Sequence, residues 1–272
     1  MTRKNFNTTF TIGMLCLTLV GAFPVQAIPS SNLGFSDSSN PALSTVKQLS
    51  LNASSDDFAG DERPGSRTSG GSRGPCLDQV IALVPGTGDI PIEETLCETP
   101  SSSLLTRTVD DTPTFWFYVP ASSRFNAQVG TVAEFVLLDK NGQAIQTRQI
   151  PLSNASGIVS VQLTHALELN QSYQWMFSIL LNSRNPSQNP AVDGWVRRID
   201  PNPALSNDLA QATSDVERIA AYAHHGIWQD ALTDLAALRQ TDPNNTALMT
   251  DWHDLLNSVG LGAIADAPFL EP

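Results

Sequence analysis

Pro113-Thr114-Phe115-Trp116-Phe117-Tyr118-Val119-Pro120 constrains this chain more than any other run of residues. Four consecutive aromatics and a valine suit a pleated surface, and a proline at each end cannot donate to a ladder, so the block is a short β-strand with fixed limits. Its residues are apolar on both faces. Such a strand is buried on both sides, or buried on one and covered on the other by a neighbouring element. It marks the centre of an all-β core and carries no catalytic group.

Other strands follow from the same chemistry. Apolar alternation or apolar runs predict strands over 79–84, 114–119, 132–139, 144–150, 157–163, 173–181 and 192–199. Asp139-Lys140-Asn141-Gly142 joins two of them as a hairpin turn, because Asn-Gly accepts positive φ. Seven short strands separated by turns suggest an immunoglobulin-like β-sandwich over residues 76–200. Tyr173, opening a late strand after Leu169-Asn170-Gln171-Ser172, is placed to form a tyrosine corner, its hydroxyl bonded back to the upstream backbone. Trp116, Trp175 and Trp195 each fall in a strand and are expected in the sandwich core.

After Asp200-Pro201-Asn202-Pro203 the apolar period becomes helical. A helix is expected over 205–224, with Ser206 or Asn207 as N-cap and Leu209, Ala212, Val216, Ile219, Ala220 and Ala223 on its apolar stripe. Gly226 stops it. A second helix is expected over 228–240 and a third over 246–259, ended by Gly260. Residues 205–266 thus form a three-helix appendage. So small a piece buries little surface alone, so it should dock on the sandwich with Trp228 at the junction. Tyr222, Trp228 and Trp252 are the candidate interaction or docking residues.

The N-terminus reads as an export signal over 1–27. Arg3 and Lys4 precede an apolar stretch with Ile12, Leu15, Leu17, Leu19 and Val20, and Val25-Gln26-Ala27 resembles a cleavage site. That run is short for a bilayer span, and the alternative is a retained N-terminal anchor. Removing Arg3 and Lys4 with no acidic residue moves the net charge from −12 to −14. Nucleic acid is a poor partner for such a chain, since phosphate tracking needs clustered Lys and Arg. Stable membrane insertion after cleavage is not expected. The expected location is periplasmic or extracellular.

Residues 28–75 are rich in Ser, Asn, Asp and Gly, end in an Arg/Gly tract, and lack apolar periodicity. They are expected to be a disordered linker. Cys76 and Cys97 are left in an oxidising compartment, where a disulfide is the first reading, with a metal site or two unpaired thiols as alternatives.

No motif carries chemistry. His165, His224, His225 and His253 are the histidines, and the adjacent pair points about 100° apart on a helix, which suits a C-terminal dipole better than chelation. Val84-Pro85-Gly86-Thr87-Gly88-Asp89 lacks the Lys-Ser/Thr of a phosphate loop. Asp110-Asp111 and Glu93-Glu94 read as solvated loops, with a weak Ca²⁺ site as the alternative. No catalytic, cofactor or metal residue is assigned.

Two resemblances follow. Tyr222, Trp228, Ala231, Leu235, Leu238 and Pro243 resemble one tetratricopeptide unit of about 34 residues. Leu83-Val84-Pro85, the aromatic block, Glu134-Phe135-Val136-Leu137, Gly157-Ile158-Val159-Ser160, Gly194-Trp195-Val196 and Tyr222-Ala223-His224-His225-Gly226-Ile227-Trp228-Gln229-Asp230-Ala231-Leu232 appear in order. Together they resemble the cyanobacterial exported family called domain of unknown function 928. That resemblance implies a bacterial envelope location and no established activity. The expected function is a non-enzymatic protein–protein interaction module with an envelope or exported partner. The alternative is an envelope hydrolase or a glycan-binding or glycan-active protein.

Overall fold

The computed structural model describes residues 49–51, 65–68, 78–86, 102–121, 131–181 and 185–270. All belong to one compact unit, residues 46–272. Cys76, Cys97, Glu93-Glu94 and the 1–27 segment lie outside the described residues.

Among the described residues ten strands, β1 Gly65–Ser66, β2 Ile81–Ala82, β3 Ser102–Ser103, β4 Thr106–Thr108, β5 Thr114–Val119, β6 Val132–Leu138, β7 Ala144–Pro151, β8 Gly157–Gln162, β9 Ser172–Ile179 and β10 Ala191–Arg198, precede four helices. The helices are α1 Pro203–Gln211, α2 Asp215–His224, α3 Trp228–Thr241 and α4 Thr246–Asn257. A three-stranded sheet runs β2-β5-β8 and a five-stranded sheet runs β4-β10-β9-β6-β7, with a small β1-β3 pair beside them. These strands pair antiparallel except β4 with β10.

The two larger sheets are open, and their facing side chains fill one core. Phe115, Phe117 and Val119 from β5 meet Phe135, Trp175 and Phe177 from the five-stranded sheet. Phe117 stacks on Phe177 at 4.1 Å between ring centroids, and its edge meets Trp175 at 5.7 Å. Gly194 makes room for that indole, since a Cβ there would lie 2.3 Å from Trp175. Trp116 and Tyr118 point the other way, into a second core shared with the helices. The aromatic block is therefore buried on both faces, one against a sheet and the other against helices.

Parity corrects two tryptophan assignments. Of the three in strands, only Trp175 lies between the sheets. Trp116 joins the sheet to the helices, where its Nε1 donates to Thr233 Oγ1 at 3.1 Å. Trp195 is half-buried on the outer face, because Gly194 and Val196 on either side take the inward positions.

The Tyr173 hydroxyl accepts a hydrogen bond from the Glu168 N–H at 3.0 Å, the contact expected of a tyrosine corner. The 139–142 hairpin forms as expected, with Gly142 at φ +75° and the Asp139 carboxylate accepting from the Asn141 and Gln143 amides at 2.8 Å each.

The helical region has four helices where three were expected. The 205–224 stretch breaks between Gln211 and Asp215. Ser214 caps α2 by accepting from the Glu217 N–H, and the Glu217 carboxylate reaches back to the Thr213 N–H at 2.6 Å. This Ser-x-x-Glu reciprocal cap starts a new helix. Its consequence is that Val216 faces solvent instead of the expected stripe. α1 begins earlier than expected, with Asn202 as N-cap and Pro203 in the first turn.

Part of the expected linker is folded. Gly65–Ser66 pairs with β3, and Thr68 bridges Ile81. Arg67 is fully buried, and its Nη2 donates to the Gly260 carbonyl just beyond α4 at 2.9 Å. Leu49 is also buried, in the helical core. An Arg among Gly and Ser reads as a solvated charge in sequence, whereas here it meets the negative end of a helix.

Candidate functional site

The helices attach to the three-stranded sheet through a few directed contacts. Trp228 opens α3, is fully buried, and donates from Nε1 to the Leu83 carbonyl at 2.8 Å. Trp252 on α4 is equally buried and donates to the Ala265 carbonyl at 3.1 Å. Neither indole is open to a partner. Both hold the helical region together or to the sheet. Phe269 from the C-terminal segment lies against both Trp116 and Trp252, and Arg239 stacks over Trp252 and Phe269 at 5.1 and 5.3 Å. That segment pairs with the free edge of β8 through Ile158 N–H to Pro268 and Leu270 N–H to Ile158.

Of the three candidate docking residues, Tyr222 alone stands beside open space. It lines a cleft of about 290 Å³ between α2, the first two turns of α3 and the turn between β4 and β5. Around it stand Asp110, Arg218, Gln229, Asp230 and Asp234. These residues come together because α3 packs its N-terminal turn across β4 and β5, so that residues 228 to 232 are buried on every side of the helix.

Asp230 is the chemically unusual group. It is 9% exposed, and its carboxylate accepts from the Val109 and Asp110 N–H groups at 3.3 and 3.2 Å. Burial raises its pKa to about 7, against the lowering effect of the Thr108 hydroxyl and those amides. The neighbouring Asp110 charge pushes it further up. Burial also pushes the Tyr222 phenol up, and the charges of Asp230 and Asp234 add to this while Arg218 offsets part.

Gln229 is stranger still. It is 1% exposed, and neither its Nε2 nor its Oε1 has a hydrogen-bond partner. A buried polar group left unpaired costs about 1–3 kcal/mol. Arg218, by contrast, is held by Asp234 at 3.1 Å and Asp215 at 2.8 Å, which raises its pKa.

The histidines do not converge here. His225 caps α2 and lies 2.7 Å from Asp208, His253 lies 2.9 Å from Asp266, and His165 is exposed. Asp111 faces Arg198 at 3.8 Å, whereas its neighbour Asp110 belongs to the cleft. Among the described residues no group of three metal-ligating side chains gathers, and no helix is long and apolar enough to cross a membrane.

Sequence reasoning missed Gln229 and Asp230 as site residues. The partners of Asp230, Val109 and Asp110, lie about 120 residues upstream, and the polar pair at a helix start reads as ordinary dipole compensation.

A family model described as Domain of Unknown Function (DUF928) matches residues 67–269, well over half of the chain. The chain belongs to that family. No curated protein matches it. The match begins at Arg67, the buried residue of the Arg/Gly tract.

Proposed function

We propose that this family member is a non-enzymatic protein–protein interaction module of the cyanobacterial cell envelope, exported by its N-terminal signal. The body is read as an immunoglobulin-type sandwich. Supporting this are the strand orders β2-β5-β8 and β10-β9-β6-β7, the parallel β4–β10 pairing at the edge, and the Tyr173 bond to the backbone five residues upstream. The α2–α3 pair, turning at Gly226 with φ +70°, is read as a single tetratricopeptide-like hairpin used for docking on the sheet.

One observation carries the binding reading. The outer face of the three-stranded sheet is covered by helices, whereas in the five-stranded sheet α3 reaches only the edge strand β4, and no helix packs extensively on β10, β9, β6 or β7 among the described residues. On that open face Val136 pairs with Met176, and Leu138 with Gln174, which in turn faces Trp195. These four apolar side chains occupy adjacent register positions and remain half-buried or exposed. Glu134 and Asp193 flank them. An apolar centre with a polar rim is the composition of a protein interface.

A photo-crosslinking amino acid placed at Met176 in the exported full chain tests this. Covalent adducts at position 176 that are missing at the helical position Met249 support the reading. No adduct at 176, or equal labelling at both positions, overturns it. Recovery of the protein uncleaved in the cytoplasm would separately remove the envelope location.

A further inference from the structure

We infer that the cleft between α2, α3 and the β4–β5 turn binds a small organic cation: a protonated amine on a molecule that also carries an amide-like hydrogen-bonding group. This goes beyond the interaction reading, because the cleft lies where α3 crosses β4 and β5 and none of its lining residues belongs to β6, β9 or β10.

Size comes first. At about 290 Å³ the cleft sits near the lower end of the range that holds small molecules, roughly 300–1,000 Å³. It is too small for a folded partner.

Charge decides the class. Four charged side chains line the cleft, three carboxylates and one guanidinium. Arg218 is engaged by Asp234 and Asp215, so its charge is already met. Asp110 and Asp230 have no ion pair among the described residues. Both lie where Val109 and Asp110 meet the start of α3. An anion placed here would face the Asp110 carboxylate and oppose ionisation of Asp230, which burial already holds partly protonated near neutral pH. A neutral polyol would leave them uncompensated. An ammonium group answers them.

Gln229 supplies the second, independent indication. A primary carboxamide offers two N–H donors and one acceptor oxygen, and here both ends are buried without a partner in a residue that lines the cleft. Such a group is completed by a ligand carrying its own donor and acceptor side by side, as an amide does. A metal ion would use neither the N–H donors nor this arrangement. The carboxylates are also too dispersed to gather as a metal-ligating group among the described residues.

Lysinamide, which combines ammonium and carboxamide groups, is the probe. Glucose and acetate serve as the neutral and anionic comparisons, each titrated calorimetrically into the full mature chain. Saturable one-to-one binding of lysinamide alone is expected, weakened at least tenfold by Gln229→Leu and by Asp110→Asn. Both variants keep the local shape, since leucine replaces an unpaired carboxamide and asparagine retains the oxygen that accepts from the Thr112 N–H. The Asp230 carboxyl carbon, followed by NMR, should titrate at lower pH with lysinamide bound. The proposal is overturned if lysinamide shows no saturable binding. Full binding in both variants, tighter binding of glucose or acetate, or an unmoved Asp230 titration would each overturn it as well.

Discussion

The two large sheets face one core but treat their outer faces in opposite ways. In the three-stranded sheet the outward residues are Ile81, Leu83, Trp116, Tyr118 and Ile158, all buried under helices. In the five-stranded sheet the outward row runs Glu134, Val136 and Leu138 on β6, Gln174 and Met176 on β9, and Asp193, Trp195 and Arg197 on β10. Continuous apolar character attracts a cover, and interrupted character leaves a face in water. The helices therefore had one place to go. The site chemistry went with them, because only a sheet face with a cover can bury a carboxylate and a carboxamide.

The sharpest break in that comparison is to remove the anchor from the covered sheet. Trp228→Ala deletes a fully buried indole and its bond to the Leu83 carbonyl. We expect a loss of about 3–5 kcal/mol in equilibrium unfolding. A loss under about 1 kcal/mol would mean that the helices do not depend on this contact.

The covered side should also respond to pH. The Asp230 pKa is raised from 3.8 to about 7, so the folded state holds a proton that the unfolded chain has already released. Its stabilising effect is fully present below about pH 4 and is lost as pH rises through 7. About three units at about 1.4 kcal/mol each give a loss of roughly 4 kcal/mol across that window. Asp110, Asp234, Arg218 and Tyr222 surround the group. Asp230→Asn should flatten the dependence. Denaturant midpoints measured from pH 4 to 8 that fall equally in wild type and variant would refute this assignment.

The same contrast explains what the sequence revealed. The 114–119 strand coincides with β5, and the other long strands match within about two residues, because apolar alternation and proline or Asn-Gly punctuation are local. The two-residue strands β1 and β3 were not legible, since Gly65–Ser66 and Ser102–Ser103 have no β-propensity and pair only because β10 lies beside them. Arg67 was unreadable for a related reason: its partner is the Gly260 carbonyl, 193 residues away. The helix break at 212–214 was legible. Ser214-Asp215-Val216-Glu217 has the spacing of a reciprocal cap, yet the longer apolar stripe outweighed it. Trp195 was misplaced because an apolar strand gives no parity until Gly194 is recognised as the residue making room for Trp175. The cleft is the least legible part, since it exists only where α3 crosses β4.

A smaller effect comes from the C-terminal segment that closes the free edge of β8. Phe269 is only part-buried, though it touches Trp116, Trp252 and Arg239. Phe269→Ala should cost about 2 kcal/mol, below the value for a fully buried aromatic. Hydrogen exchange at the Ile158 and Leu270 amides should accelerate with it. Unchanged exchange would show that the edge is held without the ring.

The smallest stability effect belongs to the open sheet, and it bears most on function. Met176 is 37% exposed at the centre of the outer face, beside Val136 and facing Asp193 across β9 and β10. A substitution there removes little buried area, and surface changes away from caps and cores stay within about 0.5 kcal/mol. Met176→Gln should therefore leave the melting temperature nearly unchanged while reducing partner crosslinking from a probe at neighbouring Val136. If the same substitution destabilises by more than about 1.5 kcal/mol, the face is covered within the protein itself. In that case the contrast between a covered and an uncovered sheet, and the interaction surface built on it, fails.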